Sequence, residues 1–481
     1  MNAPLWTIPE LMAATGGTLD RHTRCNVDIS LPDAITGISI DTRSLQPGEL
    51  FVALKDQRDG HEFVPSAFKA GASAALVVET YERQPGDGVL IRVPDVLHAL
   101  EAIGRAARAR LSPEARVIAV TGSAGKTSTK EMLRACLSAV APGHVHASDK
   151  SFNNHWGVPL TLARMPRDTR YAVFEIGMNH AGEITPLSKM VRPHGAIVTT
   201  VDAVHLEHFA SVEEIADAKA EIFAGFEPPN YGTAVIPADN PHYETLLARA
   251  SRARAAIVPF GFGTGANVRC MEVMPMATGA EIGLERPIGF FRFYLGIPGL
   301  HNVSNAVAVA CALDECGLDA ADAIKPLASF HAPKGRGDRT TLACDGGSIL
   351  LVDESYNANP ASMRAALSAM ATAPRDTRRR RIAVLGDMLE LGREAGALQR
   401  GLKEAIDAAG VDLVFAAGSH MKLLFDDLAA PLRGEWAEKS QGLVDKLLAS
   451  VRAGDVVMIK GSNGSRMGVL VEALKARYAR A

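Results

Sequence analysis

One short loop contains the residue types and spacing that most clearly predict chemistry in this sequence. It reads Gly122-Ser123-Ala124-Gly125-Lys126-Thr127-Ser128 and lies between a predicted strand and a predicted helix. In such a loop the backbone N–H groups, the lysine and the N-terminus of the helix all attract a phosphate chain. The Thr127 hydroxyl is placed to bind a magnesium ion. We therefore predict a site for a nucleotide phosphate and Mg²⁺.

The loop departs from the strict phosphate-loop pattern, which has a glycine six residues before the lysine. Val120 stands at that position, so this loop is a shortened form that begins at Gly122. The alternative is a glycine-rich turn between a strand and a helix, with an unrelated lysine. Because the predicted strand, loop and helix follow one another in the required order, we favour the phosphate-binding interpretation.

Two polar side chains follow other predicted strands of the same region. Glu175 lies near the end of a buried strand at residues 172–177, and His205 follows a strand at residues 195–201. Ligand sites in open parallel sheets lie beyond the carboxyl ends of the strands, so both side chains can converge on the loop. A buried glutamate is costly without a partner, and Mg²⁺ is a suitable one. The alternatives are an arginine partner for Glu175 and a hydrogen-bonded core position for His205.

Three further polar residues are ambiguous from their spacing alone. Lys219 lies inside a predicted helix at residues 212–226, where an ordinary surface lysine is expected. Asn302 and Asn305 are three residues apart, so they share one face near the start of another helix. Amides in that place can bind a base or a sugar, or they can cap the helix.

The elements that position these residues predict an α/β protein. A length of 481 residues is typical of about three domains. We expect a small α/β unit over residues 1–112, a middle unit with a mostly parallel sheet over 113–333, and a doubly wound, Rossmann-like unit over 334–481. In the first unit, polar residues at strand ends and in a loop are candidate ligand contacts, with solvated turn residues as an equal alternative. These residues are Asp41, Arg43, Asp59 and His61.

Composition excludes several classes of function. A net charge of −3 gives no reason to expect a nucleic acid or an anionic membrane as a partner. No apolar run approaches the ~20 residues that a membrane span needs, and we see no signal-peptide pattern. The cysteines form no C-x-x-C pair, which favours neither a zinc site nor a disulfide framework and is typical of a reducing cytosol. They are Cys25, Cys136, Cys270, Cys311, Cys316 and Cys344.

Several motifs together resemble those of the Mur ligases, the ATP-dependent amide-bond ligases of bacterial cell-wall precursor synthesis. Besides the loop, they are Asn153-Asn154-x-x-Gly157-Val158-Pro159, Glu175-Ile176-Gly177, His205-Leu206-Glu207, Ala218-Lys219-Ala220-Glu221 and Gly299-x-His301-Asn302-x-x-Asn305-Ala306. Residues 353–360 and 385–392 are similar to the members that add D-alanyl-D-alanine to UDP-N-acetylmuramoyl-tripeptide. Residues 41–54 and 59–61 are similar to a UDP-sugar-binding part of the family. The resemblance covers nearly the whole chain.

The resemblance implies a reaction in which ATP first phosphorylates a peptide carboxylate. The amine of D-Ala-D-Ala then attacks the acyl phosphate through a tetrahedral intermediate, and ADP and phosphate are released. It implies that Lys126 contacts the β- and γ-phosphates, and that Thr127 and Glu175 hold one Mg²⁺. His205 is implied to hold a second Mg²⁺. Lys219 is implied to be carbamylated, since CO₂ converts an ammonium group into an anionic oxygen ligand.

The resemblance also assigns ligand contacts across the domains. Asn302 and Asn305 would face adenine and ribose, and Arg336 would reach the γ-phosphate. The third unit would complete the nucleotide site, so the whole site would exist only when the second and third units close. Its residues there are Asp353, Tyr356 and Asn357. The implied substrate contacts are Asp41, Thr42, Arg43, Asp59, His61 and Asn154.

The sequence departs from the family pattern at two places, and three alternative functions are open. Ser123-Ala124 stands where the family often has Thr-Asn or Ser-Asn, and residues 463–468 match the family only loosely. One alternative is a family member that adds the third amino acid of the peptide. The diaminopimelate-adding form of that member has an Asp-Asn-Pro-Arg motif in its third domain, and no such motif follows residue 334 here. A folylpolyglutamate synthetase and an ATPase module that serves a partner protein are the others. We expect a monomeric, cytoplasmic enzyme of peptidoglycan synthesis, and hence of cell shape and division.

Overall fold

Three β-sheets, each with its own helices, organise the computed structural model. It describes residues 4–21, 29–149, 151–228, 231–276, 278–371 and 380–480, so Cys25 lies outside the described residues. The sheets have five, nine and seven strands in chain order. This architecture confirms the predicted α/β class with three sheet-containing units. The boundaries at residues 112 and 333 stay predictions, and both fall between sheets.

The first sheet has the strand order β1-β5-β4-β3-β2, and it is parallel except for β1. Its strands are β1 Thr18–Asp20, β2 Ile38–Ser39, β3 Leu50–Val52, β4 Ala74–Val78 and β5 Val89–Val93. Its helices are α1 Ile8–Thr15, α2 Val64–Lys69 and α3 Val96–Ala109. The strand predicted at residues 38–43 ends early, because the Asp41 carboxylate accepts the Arg43 N–H and closes a turn.

The second sheet has the order β14-β13-β12-β11-β10-β9-β6-β8-β7, with β6 to β12 parallel and β13 and β14 antiparallel. Its strands are β6 Arg116–Thr121, β7 Val145–Ala147, β8 Tyr171–Glu175, β9 Gly195–Val198, β10 Thr233–Pro237, β11 Ala256–Gly261, β12 Val268–Pro275, β13 Ala280–Arg286 and β14 Gly289–Leu295. Strand β6 lies between β8 and β9, so the phosphate-binding loop follows a central strand.

Seven α-helices accompany this second sheet. They are α4 Lys126–Val140, α5 Gly157–Ala163, α6 Ile184–Val191, α7 Val212–Ala220, α8 Tyr243–Arg252, α9 Leu300–Glu315 and α10 Ala320–Ala323. The helix predicted over residues 212–226 is α7 followed by a 3₁₀-helix, Glu221–Gly225. It changes at Glu221, whose carboxylate accepts backbone N–H groups from Gly182 and Thr185 on a neighbouring segment.

The third sheet has the order β19-β18-β17-β20-β16-β15-β21, and β16 to β20 are parallel. Its strands are β15 Asp338–Cys344, β16 Gly347–Glu354, β17 Arg381–Gly386, β18 Leu413–Ala417, β19 Arg433–Ala437, β20 Val456–Lys460 and β21 Ala479–Arg480. Its helices are α11 Pro360–Ala371, α12 Ala395–Arg400, α13 Lys403–Ala408, α14 Ser419–Asp427, α15 Val444–Ser450 and α16 Gly468–Arg477. The single helix predicted at residues 397–409 is therefore two helices.

The first two units share a hydrophobic core, whereas the third unit has separate core clusters. The Trp6 indole N–H donates to the Ala163 carbonyl at 2.8 Å, and Arg110 Nη2 donates to the Met165 carbonyl at 2.9 Å. These contacts fasten the first unit to the second. Within the described part of the chain, none of the helices is long and apolar enough to cross a bilayer.

Candidate active site

The loop after β6 has the backbone of a phosphate-binding turn. Gly122 and Gly125 have φ angles of +145° and +83°, and α4 begins at Lys126. A Cβ atom on Gly125 would lie 2.5 Å from Asn305 Oδ1, so only glycine fits the close approach of α9. Lys126 Nζ donates to the Gly122 carbonyl at 2.6 Å. The lysine thus lies folded over the loop, in reach of an anion bound at the start of α4.

Glu175 and Thr127 form a buried oxygen pair beside the loop. Thr127 Oγ1 donates to Glu175 Oε2 at 2.8 Å, and Asn153 Nδ2 donates to Glu175 Oε1 at 2.7 Å. The Glu175 side chain is thus held by neutral donors, and no arginine pairs with it in the described structure. Its charge opposes the burial that lowers the pKa of Lys126. A carboxylate and a hydroxyl side by side are suitable ligands for Mg²⁺.

Lys219 is buried, so the expectation of a surface lysine was wrong. Lys219 is 1% exposed, and it lies on α7 between the buried Ala218 and Ala220. Its ammonium group makes no hydrogen bond or ion pair with any residue that the structure describes. Burial first, and then the positive charge of Lys126, hold the pKa of Lys219 well below its usual value. Both effects favour the neutral amine over the ammonium form.

His205 lies at the contact between the second and third units. Its Nδ1 atom is 2.6 Å from Glu390 Oε2 of the third unit. Both residues have left-handed backbone angles, with φ of +52° and +63°. Over the described ranges no group of three or more His, Cys, Asp and Glu side chains could hold a metal ion. The predicted metal set contains only two such residues, Glu175 and His205.

The two asparagines of α9 are used differently. Asn305 is 6% exposed, packs against Gly125 and lines the main cavity beside the loop. Asn302 Nδ2 instead donates to the Pro298 carbonyl at 2.7 Å, which anchors the start of the helix. Asn302 thus anchors the start of the helix in this structure. Asn305 faces the main cavity, where its amide could bind a ligand.

The third unit brings Arg336 to the loop. Arg336 Nη2 donates to Ser151 Oγ at 3.2 Å, and its guanidinium lies 4.1 Å from the Tyr356 ring centroid. The charge of Arg336 contributes, after burial, to the lowered pKa of Lys126, so the two cations are close. Two cations held near each other are a receptive site for a phosphate group.

The remaining predicted nucleotide contacts lie near this arginine. Asn357 Oδ1 accepts the Ala358 N–H at 2.9 Å, and Asn357 lines the main cavity. Asp353 is 1% exposed and accepts two hydrogen bonds from Ser355 on Oδ1. Its other oxygen, Oδ2, is buried without a hydrogen-bond partner, and Asp353 does not line the main cavity.

The main cavity has a volume of about 610 Å³ and is lined by the second and third units. It includes two cationic or basic side chains that the prediction left out, Lys460 and His301. Lys460 is 3% exposed and donates to Glu354 Oε2 and to the Asn357 carbonyl, each at 3.1 Å. The position of Lys460 at a strand end was visible in the sequence, but its burial was not.

The predicted substrate residues of the first unit do not line the main cavity. Arg43 and Asp41 pair with each other in an exposed turn, beside Thr42. His61 Nε2 accepts the Val78 N–H at 3.0 Å, so its Nδ1 carries the proton that faces Asp59 Oδ1 at 2.6 Å. In the second unit Asn154 Oδ1 accepts the Gly157 N–H at the start of α5.

Comparison with known proteins identifies the family. The Mur ligase middle domain matches residues 120–313, and the Mur ligase, glutamate ligase domain matches residues 338–463. The UDP-N-acetylmuramoyl-tripeptide–D-alanyl-D-alanine ligase of Escherichia coli is 37% identical over 93% of this chain and 94% of its own length.

Solved structures give the same result. MurF from Acinetobacter baumannii has a TM-score of 0.82 at 29% identity and covers 98% of this chain and 99% of its own. MurF from Thermotoga maritima in complex with ADP has a TM-score of 0.75 at 25% identity, over 92% and 98%. The chain therefore belongs to the Mur ligase family and, within it, to the UDP-N-acetylmuramoyl-tripeptide–D-alanyl-D-alanine ligases.

Proposed function

We propose that this chain is an ATP-dependent ligase that joins D-alanyl-D-alanine to UDP-N-acetylmuramoyl-tripeptide in the cytoplasm. The product is the pentapeptide precursor of peptidoglycan, which links the enzyme to cell shape and division. The observation that carries the proposal is the convergence of Lys126, Glu175 and Arg336 from another unit on one cavity, with Thr127 bound to Glu175. Membership of the family supports the choice of substrates, and a monomer stays our expectation.

The residues of this cavity suit phosphoryl transfer to a carboxylate. A carboxylate is a poor electrophile, and its acyl phosphate carries a leaving group that an amine can displace. Phosphoryl transfer needs charge neutralisation and positioning more than a protein nucleophile. We assign Lys126 to the β- and γ-phosphates and Arg336 to the γ-phosphate. Because both cations are partly stripped of water, their attraction for a transferring phosphoryl group is stronger than at the surface.

The oxygen pair of Thr127 and Glu175 fits a magnesium ion. Both side chains supply hard oxygen ligands, and their 2.8 Å hydrogen bond shows that the two oxygens can point to one place. When bound, Mg²⁺ would neutralise charge that develops on the phosphate oxygens. A second ion at His205 stays part of the proposal. For that role, the imidazole would have to leave Glu390 or bind through its other nitrogen.

The chemistry of Lys219 fits the proposed carbamate. A neutral lysine amine attacks CO₂, the new N–C bond forms a carbamate, and one proton leaves. An ammonium group cannot do this, so the lowered pKa of Lys219 is the property that the reaction requires. The carbamate would convert an unpaired buried amine into an anion beside Lys126. We propose this modification for the working enzyme.

We assign the two organic substrates to different units. The first unit, through Asp41, Thr42, Arg43, Asp59 and His61, would hold the UDP-sugar end of the tripeptide, with Asn154 on the second unit. The third unit would present the dipeptide, since it supplies the other wall of the cavity. Asn305, Tyr356 and Asn357 are assigned to the nucleotide. We keep Ser128, Asn302 and Asp353 as predicted nucleotide contacts.

One assay tests the function and its nearest alternatives. ADP release is measured with UDP-N-acetylmuramoyl-tripeptide and either D-Ala-D-Ala, diaminopimelate or lysine as the amine. We expect release that depends on the tripeptide and on D-Ala-D-Ala. ADP release with UDP-N-acetylmuramoyl-dipeptide and with diaminopimelate or lysine as the amine would instead mean that the chain adds the third amino acid of the peptide. ATP hydrolysis that needs no acceptor would favour an ATPase module.

A further inference from the structure

A second cavity, of about 430 Å³, lies where the middle unit and the third unit meet. We name it the hinge cavity and define it by Ile297, Pro298, His331 and Ala332 of the middle unit and by Arg339 and Leu350 of the third unit. It shares no lining residue with the main cavity. It is therefore a separate place in the molecule.

The floor of the hinge cavity is one face of the β15–β16 hairpin. Side chains two residues apart on a strand point to the same face, so Arg339 and Thr341 share a side. Thr341 pairs with Leu350 across the hairpin, which places Leu350 on that face as well. All three line the cavity. The face thus offers one guanidinium, one hydroxyl and an apolar surface.

Arg339 is a cation without a direct ion-pair partner among the described residues, with which its guanidinium also makes no hydrogen bond. Burial lowers its pKa, and the more distant Glu354 carboxylate opposes that shift. Two acids line the cavity, but both have other partners. Asp455 accepts two hydrogen bonds from Arg380, at 3.0 and 2.7 Å, and Asp338 lies 3.7 Å from Lys475. A partly buried charge of this kind is costly unless an anion pairs with it.

We propose that the hinge cavity binds a small organic anion, a carboxylate or a phosphate ester with a compact apolar group. The acid group pairs with the Arg339 guanidinium, which can bind two oxygens at once. The Thr341 hydroxyl donates a further hydrogen bond. The apolar group packs on Ile297, Pro298 and Leu350.

An anion in the hinge cavity would touch walls from both the second and the third units. Its binding would therefore favour one arrangement of the two units. Arg339 also lies close enough to Glu354 for that carboxylate to act on its pKa, and Glu354 holds Lys460 in the main cavity. Occupancy therefore changes both the closure of the two units and the electrostatics of the main cavity.

Binding to the full-length chain is measured with 4-bromobenzoate as the probe. Saturating ADP is present so that the main cavity is occupied. We expect saturable binding by calorimetry and an anomalous bromine signal in the hinge cavity of soaked crystals. Arg339→Gln should weaken binding at least about tenfold. Arg292→Gln, which removes an exposed guanidinium from β14, should leave it unchanged.

A competition measurement defines the class of ligand, and a second variant covers the case that Arg339→Gln fails to fold. Inorganic phosphate that displaces the probe indicates the phosphate class, whereas phosphate that does not displace it assigns the site to carboxylates. Ser348→Phe fills the cavity from β16 and should also abolish binding, which serves if Arg339→Gln fails to fold. Unchanged binding by either variant, a bromine signal elsewhere, or no binding at millimolar probe overturns the proposal. The measurement is of binding alone, so it is independent of the proposed reaction.

Discussion

At the scale of single residues, the main cavity depends on groups that would be costly without a ligand. Among the residues that the structure describes, Lys219 is buried without a partner and the Glu175 carboxylate is buried with neutral donors only. Folding alone gains nothing from a buried amine that could be replaced by an apolar side chain. We therefore propose that these two residues serve the reaction rather than stability, and each gives a prediction.

Lys219→Ala tests the carbamate. We expect a loss of ADP-release activity on the order of 100-fold or more, the size of effect that removal of one preorganised charged group has. A small carboxylic acid added to the variant should restore part of the activity by replacing the lost anion. The lysine at position 189, on the last turn of α6, provides the control as Lys189→Ala. A fully active Lys219→Ala enzyme contradicts the role.

Lys219→Met tests the cost of the same burial. The folded-state pKa of Lys219 is lowered, so the unfolded chain binds more protons at neutral pH. The lysine therefore destabilises the fold at neutral pH, and this penalty shrinks as the pH rises towards the ordinary lysine value. In CO₂-free buffer we expect Lys219→Met to melt at a higher temperature than the parent chain. The difference should narrow at alkaline pH, and a lower melting temperature throughout would refute the argument.

Glu175→Gln tests the proposed magnesium ligand and has a close structural control. Both Glu175 and Glu315 accept a hydrogen bond from a threonine hydroxyl, at 2.8 and 2.5 Å, but only Glu175 lines the main cavity. Glutamine keeps the size and the acceptor while it removes the charge. We expect Glu175→Gln to lose about 100-fold in activity and to need more Mg²⁺. Glu315→Gln should remain within about threefold, and equal losses would make the effect structural.

At the scale of elements, the loop, α4 and α9 pack together around Gly125. Sequence patterns predicted the strand, the glycine loop and the helix because these features are local. The convergence of Glu175 on the loop was also predictable, since parallel strands end at one edge. The approach of α9 was not, because Asn305 lies far along the chain and its position depends on packing of the whole sheet. The contact between Gly125 and Asn305 packs α9 against the shortened loop.

Gly125→Ala tests the contact, with Gly143→Ala as the matched control. Both glycines have nearly the same positive φ, +83° and +80°, so both substitutions carry a backbone cost of roughly 1–2 kcal/mol. At Gly143 an added Cβ meets nothing, whereas at Gly125 it lies 2.5 Å from Asn305 Oδ1. We expect the melting temperature to fall in both variants, further in Gly125→Ala, with lost ATP affinity in Gly125→Ala alone. Equal nucleotide binding by both variants would mean that the loop accommodates the added Cβ atom at position 125.

At the scale of the whole molecule, the main cavity exists only because two units meet. The third unit contacts the second through polar groups, among them His205 with Glu390 and Arg336 with Ser151. The first and second units instead share an apolar core. Polar contacts of this kind open more readily than a shared core, so relative motion is expected between the second and third units.

Glu390→Gln should shift the molecule towards an open form. The substitution removes the charge that pairs with His205 across the units. Small-angle scattering is expected to show compaction of the parent chain on addition of nucleotide, and weaker compaction of the variant. Glu435→Gln removes an ion pair of 2.8 Å within the third unit and is the control. No compaction of the parent chain in any ligand state would count against closure.

The sequence by itself determined the α/β class, the phosphate loop, the alternation of strands and helices, and the family. Each of these rests on local periodicity or on contiguous motifs. Only the tertiary structure decided that Lys219 is buried, that Asn302 anchors its helix while Asn305 faces Gly125, and that His205 meets Glu390. The physical reason is that burial, pKa and counterions depend on which distant elements pack together, and local residue order does not encode that packing in a readable form.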